Sequence, residues 1–112
     1  MMGNLQRRFS LESAFADLNS DDFGRRAGAL GQVMQVAPHD PRTVPALLAF
    51  LDREPRTYTR AMAAQSFGFV PTTSADVMAM LFATASEDES LEVRIAAKYA
   101  LNLIEQRQMS AQ

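Results

Sequence analysis

Residues 26–36 read RAGALGQVMQV, and the same reading returns as RAMAAQSFGFV at 60–70 and as RIAAKYALNLI at 94–104. The three segments open on Arg26, Arg60 and Arg94, 34 residues apart each time. In this register Ala29, Ala63 and Ala97 coincide, then Val33, Phe67 and Leu101, then Val36, Val70 and Ile104. Apolar residues at i, i+4 and i+7 fall on one face of an α-helix. The small residue lets a neighbouring helix approach, and the larger two fill the space beyond it. Three registered copies predict three equivalent helices, called A here.

Shorter apolar segments, called B, alternate with them. Val44, Leu47, Leu48 and Leu51 form a helical stripe, and Met78, Leu81, Phe82 and Ala85 repeat it 34 residues on. Leu11, Ala14, Phe15 and Leu18 have the same spacing, offset by 33. The order is B, A, B, A, B, A. Boundaries follow from cap chemistry. Ser10 opens the first B helix, Asp21 or Asp22 the first A helix, and Thr43 the second B helix, with Pro45 in its first turn. Thr73 or Ser74 opens the third B helix, and Ser90 the last A helix. Pro38 and Pro71 follow the ends of A helices. The period-two alternation of strands is absent. The expectation is one all-α domain over 1–112, an α-solenoid of antiparallel pairs, with helices near 11–19, 22–36, 43–52, 56–69, 74–86 and 91–107.

These segments resemble HEAT repeats, especially the short variety of phycobilisome-lyase-like proteins. That family's A helix begins with an acid, then Val-Arg, Ala-Ala and a Leu, and Glu92-Val93-Arg94-Ile95-Ala96-Ala97 with Leu101 follows the pattern. Thr59-Arg60-Ala61-Met62-Ala63 is looser, and the first copy has Arg25 in place of the valine, with Gly24, Gly28 and Gly31 nearby. The resemblance spans about residues 11 to 107. It implies a scaffold and almost no chemistry. A tetratricopeptide array shares the 34-residue period, but its Trp-Leu-Gly-Tyr type pattern is missing.

Composition narrows the function classes. At 112 residues the chain has room for one core, burying roughly 65% of its unfolded surface. Without cysteine there is no disulfide, thiolate nucleophile or sulfur-ligated metal. The formal charge is −2, with acids and bases interspersed, and no basic stripe of the kind phosphate binding needs. Of the eleven basic residues only Lys98 is not arginine. The first residues lack the apolar run of a signal peptide, Gly3 sits one place too late for myristoylation, and no stretch is long enough to span a bilayer. A cytoplasmic protein is expected.

Catalytic and metal motifs are missing. His39 is the only histidine and lies in a Pro-His-Asp-Pro turn. One histidine cannot supply the His-Glu pairs of HEAT-type di-iron hydroxylases or a zinc-peptidase helix, and no phosphate loop or nucleophile elbow is present. The run Glu87-Asp88-Glu89 lacks the spacing of a calcium loop. No catalytic, cofactor or metal residue is assigned, and a non-enzyme is expected.

Three surfaces remain. The ladder Arg26, Arg60, Arg94 is expected to meet carbonyls or acids of the preceding turn, with Glu54 and Asp88 six residues before Arg60 and Arg94; a grip on an acidic ligand is the alternative. The HEAT resemblance implies that B helices line a concave face, which would carry Ala46, Ala49, Phe50, Asp76, Met80, Ala83 and Thr84. That face is either a partner-binding surface or additional core. The last A helix has an apolar arc roughly 200° wide, against about 100° for an ordinary stripe. No further B helix follows it, so a second copy or a partner is expected to cover Ile95, Tyr99 and Leu103. The function this predicts is a protein or peptide interaction module binding through the B face, with a homodimer through the last helix as an option. An accessory role to a lyase-like small-molecule enzyme ranks second. Nucleic-acid binding ranks last, because Asp17 and Asp76 lie on the face it would use.

Overall fold

The computed structural model describes residues 11–71 and 74–110, and among them the regular structure is entirely helical. Residues 11–17 belong to α1; then come α2 (Phe23–Val36), α3 (Thr43–Arg53), α4 (Thr57–Ser66), α5 (Ala75–Glu87) and α6 (Leu91–Ser110). A single 3-10 turn, Phe67–Phe69, prolongs α4. The long α6 lies against both α4 and α5, while α4 also meets α3 and touches α2. The chain measures 44 × 36 × 18 Å, and its short axis holds two layers of helices.

Two caps follow the local sequence. The Asp22 carboxylate accepts the Arg25 N–H at 2.9 Å, and Ser90 Oγ accepts that of Val93 at 3.4 Å. Ser74 takes the cap position of α5, whereas Ser10 and Thr73 lie outside the described residues. Thr43 corrects the sequence reading. It is the first residue of α3 rather than its cap, and its buried hydroxyl donates to the Ala37 carbonyl at 2.6 Å. The end of α2 is thus tied to the start of α3 by a side chain where the backbone must turn.

The facing of α3 differs from the stripe read in the sequence. With Thr43 drawn inward, the buried row is Thr43, Leu47, Phe50 and Leu51. The sequence stripe centred on Val44 and Leu48 is therefore displaced by roughly 60° at 100° per residue. Helix α5 repeats the rotation: Val77, Leu81 and Ala85 are buried, and Phe82 is 58% exposed. Phe50, expected on the open face, is core; Phe82, expected in the core, is on the surface.

The A helices keep their register better. Ala29, Ala63 and Ala97 are all buried, as are Val33 and Phe67, while Leu101 is half-buried. Val70 and Ile104 are buried, but Val36 is 57% exposed, because α2 ends there and Ala37 takes the inward place. The buried apolar residues form one continuous cluster from Ala14 to Ile104, so the helices share a single core.

Two local features differ between the repeats. Thr59 occupies the place of Val93, and its buried Oγ1 has no hydrogen-bond partner among the described residues. Gly68 brings the 3-10 turn against α6, where a Cβ would stand 2.7 Å from Leu103 Cδ1 and 3.2 Å from Ala100 Cα. Arg107 fastens the same junction, donating to the carbonyls of Gly68 and Val70.

Thr59→Val removes an unsatisfied hydroxyl at constant shape and should raise stability in urea unfolding by about 1 kcal/mol. Gly68→Ala should lower it by about 1–3 kcal/mol through overpacking. Equal or reversed effects would contradict the packing described.

Candidate functional site: the arginine rungs and the surfaces beside them

Each A helix begins about one turn before its ladder arginine, so the guanidinium can reach back over the turn that precedes the helix. Arg26 Nη1 donates to the carbonyls of Ser20 and Asp21, both at 3.0 Å. Arg60 Nη1 donates to those of Glu54 at 3.4 Å and Pro55 at 3.1 Å. Arg94 Nη1 donates to that of Asp88 at 2.5 Å. The carbonyl partners lie in the preceding turn, as the spacing implies.

The carboxylate partners do not. Glu54 pairs with Arg26 rather than with Arg60, through Nε at 2.9 Å and Nη2 at 3.2 Å. Asp88 pairs with Arg60 rather than with Arg94, through Nε at 3.1 Å and Nη2 at 3.0 Å. Each arginine thus takes both oxygens of an acid 28 residues ahead, in the turn that opens the next A helix. Two parallel N–H···O bonds fix both direction and orientation.

The same acids organise their own turns. Glu54 accepts the Arg56 N–H at 3.1 Å, and Asp88 accepts that of Ser90 at 2.9 Å. Burial opposes ionisation of Glu54, but the Arg26 hydrogen bonds, the Arg56 N–H and both arginine charges together hold its pKa below the ordinary 4.5. The Arg60 hydrogen bonds hold Asp88 below its ordinary 3.8 against a smaller cost of burial, helped by the Ser90 N–H. Arg26 and Arg60 are correspondingly raised, first by their acids.

A groove runs between neighbouring B helices above each complete rung. One is lined by Leu18, Asn19, Phe50 and Arg53 over Arg26 and Glu54. The other is lined by Leu48, Ala49, Met80 and Thr84 over Arg60 and Asp88. Of the residues expected on the B face, Ala49, Met80 and Thr84 are brought together here. Ala49, Asp76 and Ala83 are exposed, Ala46, Met80 and Thr84 half-buried, and Phe50 is buried. The hydrogen bonds of Arg26 and Arg60 are directed to their own acids and carbonyls, so these two rungs hold the turns together rather than gripping an anion.

On α6, Ile95 is 56% and Tyr99 45% exposed, and Leu103 is half-buried. Phe69, missed by the sequence reading because its A-helix register ends in a different conformation, adds a ring 6.5 Å from that of Tyr99. Arg60 and Ala64 of α4 and Phe67 of the 3-10 turn are buried, and their register mates on α6 are Arg94, Lys98 and Leu101. Lys98 is exposed where Leu30 and Ala64 are buried. Lys98 and the exposed Glu105 thus make this flank of α6 polar.

Elsewhere, His39 is exposed in the turn between α2 and α3. Among the described residues no three of His, Cys, Asp or Glu come together as a metal site needs, and no helix is long and apolar enough to cross a membrane. Compared with known proteins, the chain matches no family model, no characterised protein and no solved structure.

Glu54→Gln and Asp88→Asn should each cost about 1–3 kcal/mol, because each leaves a partly buried guanidinium without its charge partner. Arg94→Gln, which breaks no ion pair, should cost less than either. The depressed carboxylates contribute stability that is complete above their unfolded pKa values, near 4.5 and 3.8, and lost as pH falls through the lower folded values. Urea unfolding from pH 7 to pH 2 should show that loss, diminished in Glu54→Gln. An unchanged acid limb would show that the rung does not couple to folding.

Proposed function

We propose that the chain is a short HEAT-like α-solenoid acting as a non-enzymatic interaction module, which binds a protein or peptide along the face of its B helices. The observation that carries this reading is the groove between α3 and α5, where Ala49, Met80 and Thr84 converge over a completed rung. Small side chains leave room for a partner's backbone, and a methionine adapts to the shape presented. The pairing of Arg26 and Arg60 with their own acids favours this reading over a grip on phosphates.

A photo-reactive amino acid at position 49 or 83 should couple to one protein species in cells of the native host, well above the level seen from the exposed positions 25 or 35 of α2. Equal coupling from all four positions would remove the B face as the binding surface.

A second reading, self-association through α6, is favoured by the row Ile95, Tyr99 and Leu103 with Phe69 beside it. Light scattering across a hundredfold concentration range should give a dimer, converted to monomer by Ile95→Glu. A monomer at all concentrations would exclude self-association through that row.

A further inference from the structure

The two grooves between B helices share a plan but differ in charge. In the first, Arg53, the last residue of α3, crosses to the turn after α1. Its Nη2 donates to Asn19 Oδ1, and its Nε to the Ala49 carbonyl at 3.2 Å. Both side chains line that groove together with Leu18 and Phe50. The chain thus fills its first groove with a guanidinium of its own.

The second groove, between α3 and α5, carries acids at the equivalent places. Asp52 stands 33 residues after Asn19, the offset between the first and second B stripes. Glu87 stands 34 after Arg53, as the third stripe stands to the second, and closes α5 as Arg53 closes α3. Asp52 lines the groove with Leu48, Ala49, Met80 and Thr84. Both acids are exposed, and among the described residues neither side chain has a hydrogen bond or an ion pair. The deeper acids Glu54 and Asp88 are already answered by Arg26 and Arg60. Of the charged residues on α3 and α5, Arg53 alone is a base, and it is turned to the first groove. The others, Asp52, Asp76 and Glu87, are all exposed acids, so the open groove presents negative charge to whatever lies along it.

We propose that the α3–α5 groove receives an arginine from a basic segment of the partner protein, seated as Arg53 is seated in the first groove. The guanidinium meets the carboxylate of Asp52, and Glu87 supplies the adjoining charge. The aliphatic stem lies along Leu48 and Met80, with the charged head kept at the wet rim. The inference rests on the interaction-module reading and names the chemistry of its partner.

A displayed library of random peptides, selected on the unaltered chain, should yield binders that carry an arginine. Exchanging that arginine for citrulline, its neutral near-isostere, should weaken binding about tenfold, and Asp52→Asn should do the same. The two changes together should cost little more than either, because both remove one contact. Glu87→Arg should also release the peptide, since it restores the charge pattern of the first groove and lets the chain fill the second itself. Urea unfolding should show both variants as stable as the parent, because the altered side chains are exposed and unpaired. Binders without arginine, binding indifferent to Asp52→Asn, or binding unimpaired by Glu87→Arg would each overturn the inference. Photo-coupling from position 49 to a second copy of the chain would overturn it too. Arginine-free binders that still couple to position 49 or 83 would leave the B-face reading standing. Binders that couple to neither, or a library that yields none, would remove both.

Discussion

The constraint on which the rest depends is the two-sided engagement of Arg60. One edge of its guanidinium holds the Glu54 and Pro55 carbonyls of the turn before it, and the other holds the Asp88 carboxylate of the turn after α5. A planar fork can satisfy both only if the two turns face each other at a fixed distance and angle. Arg26 imposes the same condition on the turns at Ser20 and Glu54. Inserting or deleting a residue between the ladder arginines would move the acid off its arginine, so the 34-residue period is enforced by hydrogen-bond geometry as well as by apolar register.

The rungs need not be large sources of stability to do this. The Glu54 side chain is fully enclosed and Arg26 nearly so, and removing two charges from water offsets most of what their attraction returns. An apolar pair of the same volume could match it energetically. It could not distinguish one register from another, since apolar contacts are non-directional. The alanines at 29, 63 and 97 and the large residues packed around them supply the burial, and the arginine–carboxylate pairs select the arrangement in which that burial occurs. The same division explains why Thr43 matters beyond one hydrogen bond. It joins the end of α2 to the start of α3, and Phe50 is enclosed while Val44 and Leu48 pack at the edge of the core.

The helical class was legible because repetition averages out the weaknesses of any single copy. Arg25, Gly24 and Gly28 make the first A helix a poor match alone, but register with 94–104 recovers it. The caps at Asp22 and Ser90 were legible for a local reason: a cap depends on three or four consecutive residues. What the sequence did not reveal is relational. Glu54 and Asp88 sit six residues before Arg60 and Arg94, and proximity along the chain favours those pairings; in space the acids belong to the preceding rung. The facing of the B helices was hidden similarly, since stripes centred on Leu48 and on Leu47 differ by one step around the helix. Only the neighbours decide between them. Phe69 lay in register with Leu103, yet the 3-10 turn that presents its ring depends on Gly68 meeting Ala100 across the interface.

The first and third turns of the ladder differ, and the difference lies in charge. At the first turn of the ladder, Ser20 takes the place of Glu54 and Asp88 and preserves the turn with a hydroxyl. Lys98 and Glu105 make the stacking flank of α6 polar, which disfavours indiscriminate apolar association. Arg94 nevertheless keeps the rung geometry, held in place by the Asp88 carbonyl although no acid among the described residues forms an ion pair with it. An arginine held at one edge loses less side-chain freedom when the other edge is occupied, so part of the cost of pairing has already been met by folding. The constraint that sets the register between the repeats is thus half assembled at the third arginine as well.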